Sequence, residues 1–232
     1  MDIRTKLLEK FRKIDSNNNA DDCFEIGKEL HEFEMLDKAE KAYNRAVFLS
    51  PDNAKFYLEL GLLFHSQRRF IEAENAYTKS MELGISGPFV WFNFGVLLYD
   101  TNRFDESLEF YRMAIDLDPD NASCFLHYGL SLYKLEMFEE VEIAFKRIIE
   151  ASPDNMAKYM SYNMLGIVLS KLNKLKESEY FFKEAIFLKK DHPNAYVNFG
   201  HLLFKLNRFG EAIENFEKAS ELDPNINITV QK

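Results

Sequence analysis

Apolar positions along the chain fall three, four and seven residues apart, the spacing of amphipathic helices, and one such pattern returns at a near-constant interval. Six glycines mark the interval: Gly27, Gly61, Gly95, Gly129, Gly166 and Gly200, separated by 34, 34, 34, 37 and 34 residues. Four residues before each glycine stand Cys23, Tyr57, Trp91, Phe125, Tyr162 and Tyr196. One residue before it come Ile26, Leu60, Phe94, Tyr128, Leu165 and Phe199, and three after it Leu30, Phe64, Leu98, Leu132, Leu169 and Leu203. Together these make one stripe of a first helix. A second stripe follows in every unit, spaced four then three: Ala39, Tyr43, Ala46; Ala73, Tyr77, Ser80; Ser107, Tyr111, Ala114; Val141, Phe145, Ile148; Ser178, Phe182, Ala185; Ala212, Phe216, Ala219. Polar links such as SQRR, DTNR, KLNK and KLNR part the two helices, and SPDN, DPDN, SPDN or DPN ends the second, where proline cannot continue a helix.

One stretch departs from two-sidedness. In Phe89–Asp100, FVWFNFGVLLYD, only Asn93 and Gly95 interrupt an otherwise apolar run before the final aspartate. It is shorter than the roughly 20 residues a helix needs to cross a bilayer. Either it is buried all round or one of its faces serves another purpose.

The repeating unit resembles the tetratricopeptide repeat, a helix–turn–helix of 34 residues with the signature W-x2-L-G-x2-Y, then A-x3-F and a terminal Pro. Trp91-Phe92-Asn93-Phe94-Gly95 and Tyr196-Val197-Asn198-Phe199-Gly200 carry its first half. The resemblance implies an all-α fold, a right-handed α-solenoid of six repeats at 20–53, 54–87, 88–121, 122–155, 159–192 and 193–226, with three extra residues at 156–158. Residues 1–19 form an N-terminal capping segment, because Leu7, Phe11 and Ile14 repeat the four-then-three spacing and predict a helix over about 3–14. Residues 227–232 are a tail. The repeat pattern is broken by Ser107, Val141 and Ser178 at the small position of the second helix, and by Ile85 and Lys190 at the stop proline.

The resemblance also implies that one side of each first helix lines a concave binding surface. In this register stand Phe24, Lys28, His31; Leu58, Leu62, His65; Phe92, Val96, Tyr99; Leu126, Leu130, Tyr133; Asn163, Ile167, Ser170; and Val197, His201, Phe204. The middle of the array is therefore apolar, and the lysine and asparagine clamp that relatives use for acidic peptide termini is missing from it. Asn93 and Asn198 stand where glycosyltransferase-type arrays carry an asparagine ladder, among Glu25, Glu59, His127 and Met164, and are candidates for bonding a peptide backbone. A competing reading is that curvature buries part of this stripe within the array. Glu32, Ser66, Asp100, Lys134, Lys171 and Lys205 change from acidic to basic along the chain, which suits either an acidic ligand end over repeats 4–6 or ordinary helix C-termini.

Composition narrows the function. A formal charge of -9 and a pI near 5.2 disfavour a phosphate backbone as partner. The N-terminus lacks the apolar run of a secretory signal, so a cytoplasmic location without membrane insertion is expected. Cys23 and Cys124 are far apart and read as small buried hydrophobes. His31-Glu32-Phe33-Glu34-Met35 opens like a zinc-protease motif but has Met35 for the second histidine, and His31 with His65 alone makes no metal site. We find no catalytic constellation, cofactor motif or metal set, and expect a non-enzymatic scaffold or adaptor binding an amphipathic or extended apolar peptide. Alternatives are a self-assembling module whose groove is filled by the N-terminal helix of another copy, with association through a C-terminal repeat that leaves Ile213 or Phe216 uncovered as a further route, and a regulatory segment of a larger enzyme.

Overall fold

A computed structural model describes residues 3–228; residues 1–2 of the capping segment and 229–232 of the tail lie outside the described residues. Among the described residues there are thirteen α-helices and no strand. They are α1 (Ile3–Phe11), α2 (Ala20–Glu32), α3 (Leu36–Leu49), α4 (Ala54–Ser66), α5 (Phe70–Glu82), α6 (Pro88–Asp100), α7 (Phe104–Leu117), α8 (Ala122–Lys134), α9 (Phe138–Ala151), α10 (Asn155–Lys171), α11 (Leu175–Leu188), α12 (Pro193–Lys205) and α13 (Phe209–Leu222). From α2 onward, even-numbered helices are the first (A) and odd-numbered helices the second (B) of each repeat. The chain divides into two compact units, 1–114 and 115–232, and the division falls inside α7.

Each A helix starts where its sequence supplies a cap. Asn19 Oδ1 accepts the Asp22 N–H at 3.1 Å and Asn121 Oδ1 that of Cys124 at 3.2 Å, while Pro88 and Pro193 open α6 and α12. The A–B turn repeats one geometry. Glu34, Arg68, Asn102, Glu136, Asn173 and Asn207 all adopt φ between 56° and 61°. The next residue reaches back with its N–H to the last core leucine or phenylalanine of the A helix: Met35 to Leu30 at 2.9 Å, Arg69 to Phe64 at 2.9 Å, Arg103 to Leu98 at 2.8 Å. This left-handed stop ties off carbonyls the helix would leave orphaned.

The glycines set how closely the helices approach. A Cβ on Gly27 would lie 2.6 Å from the Tyr43 ring, on Gly61 2.6 Å from Tyr77, and on Gly95 2.7 Å from Tyr111. In the second unit Gly129, Gly166 and Gly200 stand in the same way against Phe145, Phe182 and Phe216. The opposing aromatic of B is thereby packed directly against the backbone of A, and Tyr43, Tyr77, Phe145 and Phe182 are almost wholly buried. At the small position of helix B, Val141 is also buried, and Ser178 donates its hydroxyl to the Gly166 carbonyl at 2.7 Å, so the serine contributes a hydrogen bond across the pair.

Several expectations shift. The aromatics four residues before the glycine, Trp91 among them, are only half-buried; Phe56, Val90, Cys124 and Ala195, one position earlier, are the buried ones. Tyr57 and Tyr196 instead clamp the preceding link, donating to the carbonyls of Pro51 and Lys190 at 3.1 Å. The N-terminal helix stops at Phe11, and a 3-10 turn over Ile14–Ser16 carries Ile14 inward; Leu7 and Ile14 are buried, and Lys41 bonds Asp15 at 2.6 Å. The three extra residues at 156–158 lie inside α10. They extend α10 to 17 residues, with Asp154 taking over the cap by accepting the N–H groups of Met156 and Ala157. Where the stop proline is replaced by Ile85, Gly84 (φ 93°) ends α5 and Gly87 (φ 139°) leads into Pro88. At the second such link, Lys189 reaches φ -140°, ψ 81° beside Lys190, matching Ser50 (-140°, 82°) before Pro51.

Two stability measurements test these contacts by urea denaturation. Gly61→Ala is expected to destabilise by about 1–2 kcal/mol, because overpacking against the immobile Tyr77 ring outweighs alanine's better helix propensity. Glu34→Gly and Glu136→Gly are each expected to stabilise by about 1 kcal/mol, because the left-handed conformation strains a residue with a Cβ.

Candidate functional site

The residues of the expected binding surface are best taken unit by unit. In the first unit Phe24, Lys28, His31, Leu58, Leu62, His65, Phe92, Asn93, Val96 and Tyr99 are all half-buried. Phe24 spends much of its ring inside, 4.8 Å from Phe56 and 5.8 Å from Tyr43. In the second unit Leu126, Leu130, Tyr133, Asn163, Ile167, Asn198 and His201 are half-buried, Val197 is buried, and Phe204 is exposed.

The third position of the register does something the periodicity did not reveal. Its side chain packs on the first residue of helix B in the same repeat: His65 on Phe70 at 5.9 Å, Tyr99 on Phe104 at 5.3 Å, Tyr133 on Phe138 at 6.0 Å and Phe204 on Phe209 at 5.1 Å. These residues brace the A–B turn, and the signal that would have shown it is the recurring phenylalanine that opens helix B. The two asparagines are likewise engaged. Asn93 Nδ2 donates to the Phe89 carbonyl at 2.8 Å, and Asn198 Nδ2 to Asn163 Oδ1 at 3.0 Å. Of the lysines in the charge series, Lys205 donates to the Ser170 carbonyl at 2.7 Å, and Lys171 lies 5.3 Å above the Tyr133 ring. His65 Nε2 bonds Asp100 Oδ2 at 2.9 Å rather than meeting His31.

A second polar feature lies on the B helices. A glutamate on one B helix holds the base that opens the next: Glu40–Arg69 at 2.5 Å, Glu74–Arg103 at 2.6 Å, Glu142–Lys174 at 3.3 Å and Glu179–Arg208 at 2.7 Å. Arg69, Arg103 and Arg208 also reach Glu72, Glu106 and Glu211 in their own helix. Lys146 and Lys174 hold the Glu142 carboxyl below its ordinary range against the opposing effect of burial. At the same register in the last repeat stands Ile213, which is exposed beside the half-buried Phe216.

The inner face of the first unit carries an isolated carboxylate, Glu59. It is half-buried, and no hydrogen bond from the described residues reaches it. Burial pushes its carboxyl up, nearby Lys28 pulls it back, and Glu25 pushes it up again. Burial alone pushes His201 below its ordinary value, and burial outweighs Glu32 in doing the same to His31. Both cysteines are free and buried, and burial raises the Cys124 thiol to about 11, leaving it a protonated packing group. Among the described residues no group of histidine, cysteine and acidic side chains is placed to hold a metal ion, and no helix is long and apolar enough to cross a membrane.

Comparison with known proteins agrees with this geometry. Family profiles described as "Tetratricopeptide repeat" match residues 26–88, 160–186 and 193–226, and one described as "TPR repeat" matches 95–136. The chain is a tetratricopeptide-repeat protein, of an all-α fold found in protein–protein interaction scaffolds. It is 43% identical over 63 residues to human protein O-mannosyl-transferase TMTC2, and 33% over 63 residues to human TMTC3; either match takes in 27% of this chain but only 8% and 7% of those proteins. Among solved structures, PilW, a type IV pilus biogenesis factor, superposes with a TM-score of 0.75 at 16% identity, covering 90% of this chain and 95% of PilW. YrrB, described as a tetratricopeptide-repeat protein with an unusual peptide-binding site, gives 0.70 at 19% identity, covering 80% and 95%. At such identities these structures share the fold.

The unpartnered carboxylate makes a testable contribution to stability. Since its folded-state value lies above the unfolded one, the folded chain binds the proton more tightly, and stability rises as pH falls through the folded value. Glu59→Gln is therefore expected to stabilise the protein at neutral pH, and the gain should vanish toward the ordinary glutamate value of about 4.3. Urea denaturation across that range, compared with the unchanged chain, checks it.

Proposed function

We propose that the protein is a non-catalytic scaffold that captures partner segments on the inner faces of its A helices, with an apolar surface in each unit. The observation that supports this reading is the cluster of half-buried aliphatic and aromatic side chains, Leu58, Leu62, Phe92 and Val96 in the first unit and Leu126, Leu130 and Ile167 in the second. None of the braced third-position residues is needed for it. Apolar positions that project from successive helices suit an amphipathic helix or an extended segment with spaced apolar side chains. Each anchor buried on binding contributes on the order of 1.5–3 kcal/mol before ordering costs. YrrB's described peptide-binding site lends support by analogy of fold.

The likeness to protein O-mannosyl-transferases over part of their repeats favours a second reading, in which this array is the repeat portion of a larger enzyme and positions its substrate or partner. The first unit's surface is tested by Leu58→Glu with Val96→Glu and the second's by Leu126→Glu with Leu130→Glu, each shown folded by circular dichroism. Affinity capture from source cells is expected to lose the same set of partners with at least one pair. Unchanged capture by both would move the binding surface to the B helices and their exposed phenylalanines, Phe48 and Phe187.

A further inference from the structure

The aromatic opposite each glycine is tyrosine throughout the first unit (Tyr43, Tyr77, Tyr111) and phenylalanine throughout the second (Phe145, Phe182, Phe216). The rings do the same packing work, at near-identical separations from the glycine Cβ position. Phenylalanine therefore suffices for the fold. Yet Tyr43 and Tyr77 bury hydroxyls that have no hydrogen-bond partner, an arrangement that costs stability and calls for another explanation.

What accompanies the hydroxyls is negative charge. Glu59 is the largest charge acting on both, and Glu25 adds to it at Tyr43. In the second unit the register of Glu25 and Glu59 passes through His127, Met164 and Asn198, so the carboxylates are lost together with the hydroxyls. A cation already samples this place: Lys28 lies 5.7 Å above the Phe24 ring and 3.6 Å from Glu25. That pair is exposed and long, and such pairs hold weakly. One lysine leaves Glu59 without a hydrogen-bonded partner.

We propose that the inner face of the first unit holds a subsite for a cationic side chain, an arginine guanidinium of the bound segment, received by Glu59 and Glu25 over the face of Phe24, with the hydroxyls of Tyr43 and Tyr77 behind the carboxylates. A guanidinium presents five N–H donors in a plane and stacks on aromatic rings, which suits acceptors spread over two helices and a ring face. Its charge removes the penalty of holding Glu59 ionised and half-buried, and the tyrosine hydroxyls then have a fixed carboxylate to donate to. The subsite rests on the reading that the inner face binds a peptide. It assigns the ligand a basic residue flanked by apolar ones, the opposite charge to the acidic termini that other members of the family clamp.

The test uses the full chain and two small probes, N-acetyl-arginine amide and its neutral isostere N-acetyl-citrulline amide, followed by NMR shifts of Phe24, Leu58 and Leu62. Saturable shifts are expected with the arginine probe at tens of millimolar, with citrulline at least about tenfold weaker. Glu59→Gln should weaken the arginine probe about tenfold. Tyr77→Phe should weaken it severalfold while leaving the melting temperature unchanged or higher, a combination that a purely structural tyrosine would not give. Equal binding of citrulline, no saturable shift, or full affinity in Glu59→Gln would overturn the subsite. Should Leu58→Glu with Val96→Glu abolish partner capture while Glu59→Gln leaves both probe and partner binding intact, the apolar surface stands and the cationic subsite falls.

Discussion

Every repeat of this protein hangs on one short distance, that between a glycine backbone on the first helix and an aromatic ring on the second. With no room for even a methyl group at Gly27, Gly61 or Gly166, the ring lies on the backbone and the two helix axes are held at a single separation. The left-handed turn that follows each A helix fixes how B returns, since its N–H bond to the core leucine or phenylalanine leaves little freedom at the joint. With spacing and return angle both fixed, the inner side of helix A repeats in a regular row within each unit. A binding surface then arises from whichever residues fill that row, without any change to the fold.

The ion pairs between B helices supply a different kind of order. Single exposed pairs contribute little, but these bridge carboxylates that are largely covered, and the arginines are shared between two acids. Their role is better described as setting the register of one repeat on the next. In the sequence, Leu108 stands at the glutamate position of the third repeat and Met137 at the basic position of the fourth.

The sequence made the helices and the repeat interval legible because both follow from local periodicity. It was less informative about which apolar positions are free. His65, Tyr99, Tyr133 and Phe204 share a face with Leu58 and Val96, yet they brace the turn, because they lie within reach of the residue that opens helix B. Asn93 and Asn198 looked available as hydrogen-bonding groups and are partly committed to neighbours inside the fold. Glu25 and Glu59 were visible only as interruptions of a ladder. The meaning of Glu59 depends on its burial, and on two unpaired tyrosine hydroxyls carried by other helices, neither of which periodicity reports.

The fifth repeat shows where such a chain tolerates a change of length. Its added residues lengthen α10 at the amino end, the cap moves back to Asp154, and Gly166 keeps its place opposite Phe182. An insertion at the A–B turn would have broken the left-handed stop, and one inside a helix would have rotated its apolar stripe away from the core. The start of an A helix is therefore the point at which an array of this kind can gain or lose residues over evolutionary time while its internal packing is inherited unchanged. The exposed Met156 and Met160 are the side chains such an event leaves on the surface as raw material for selection.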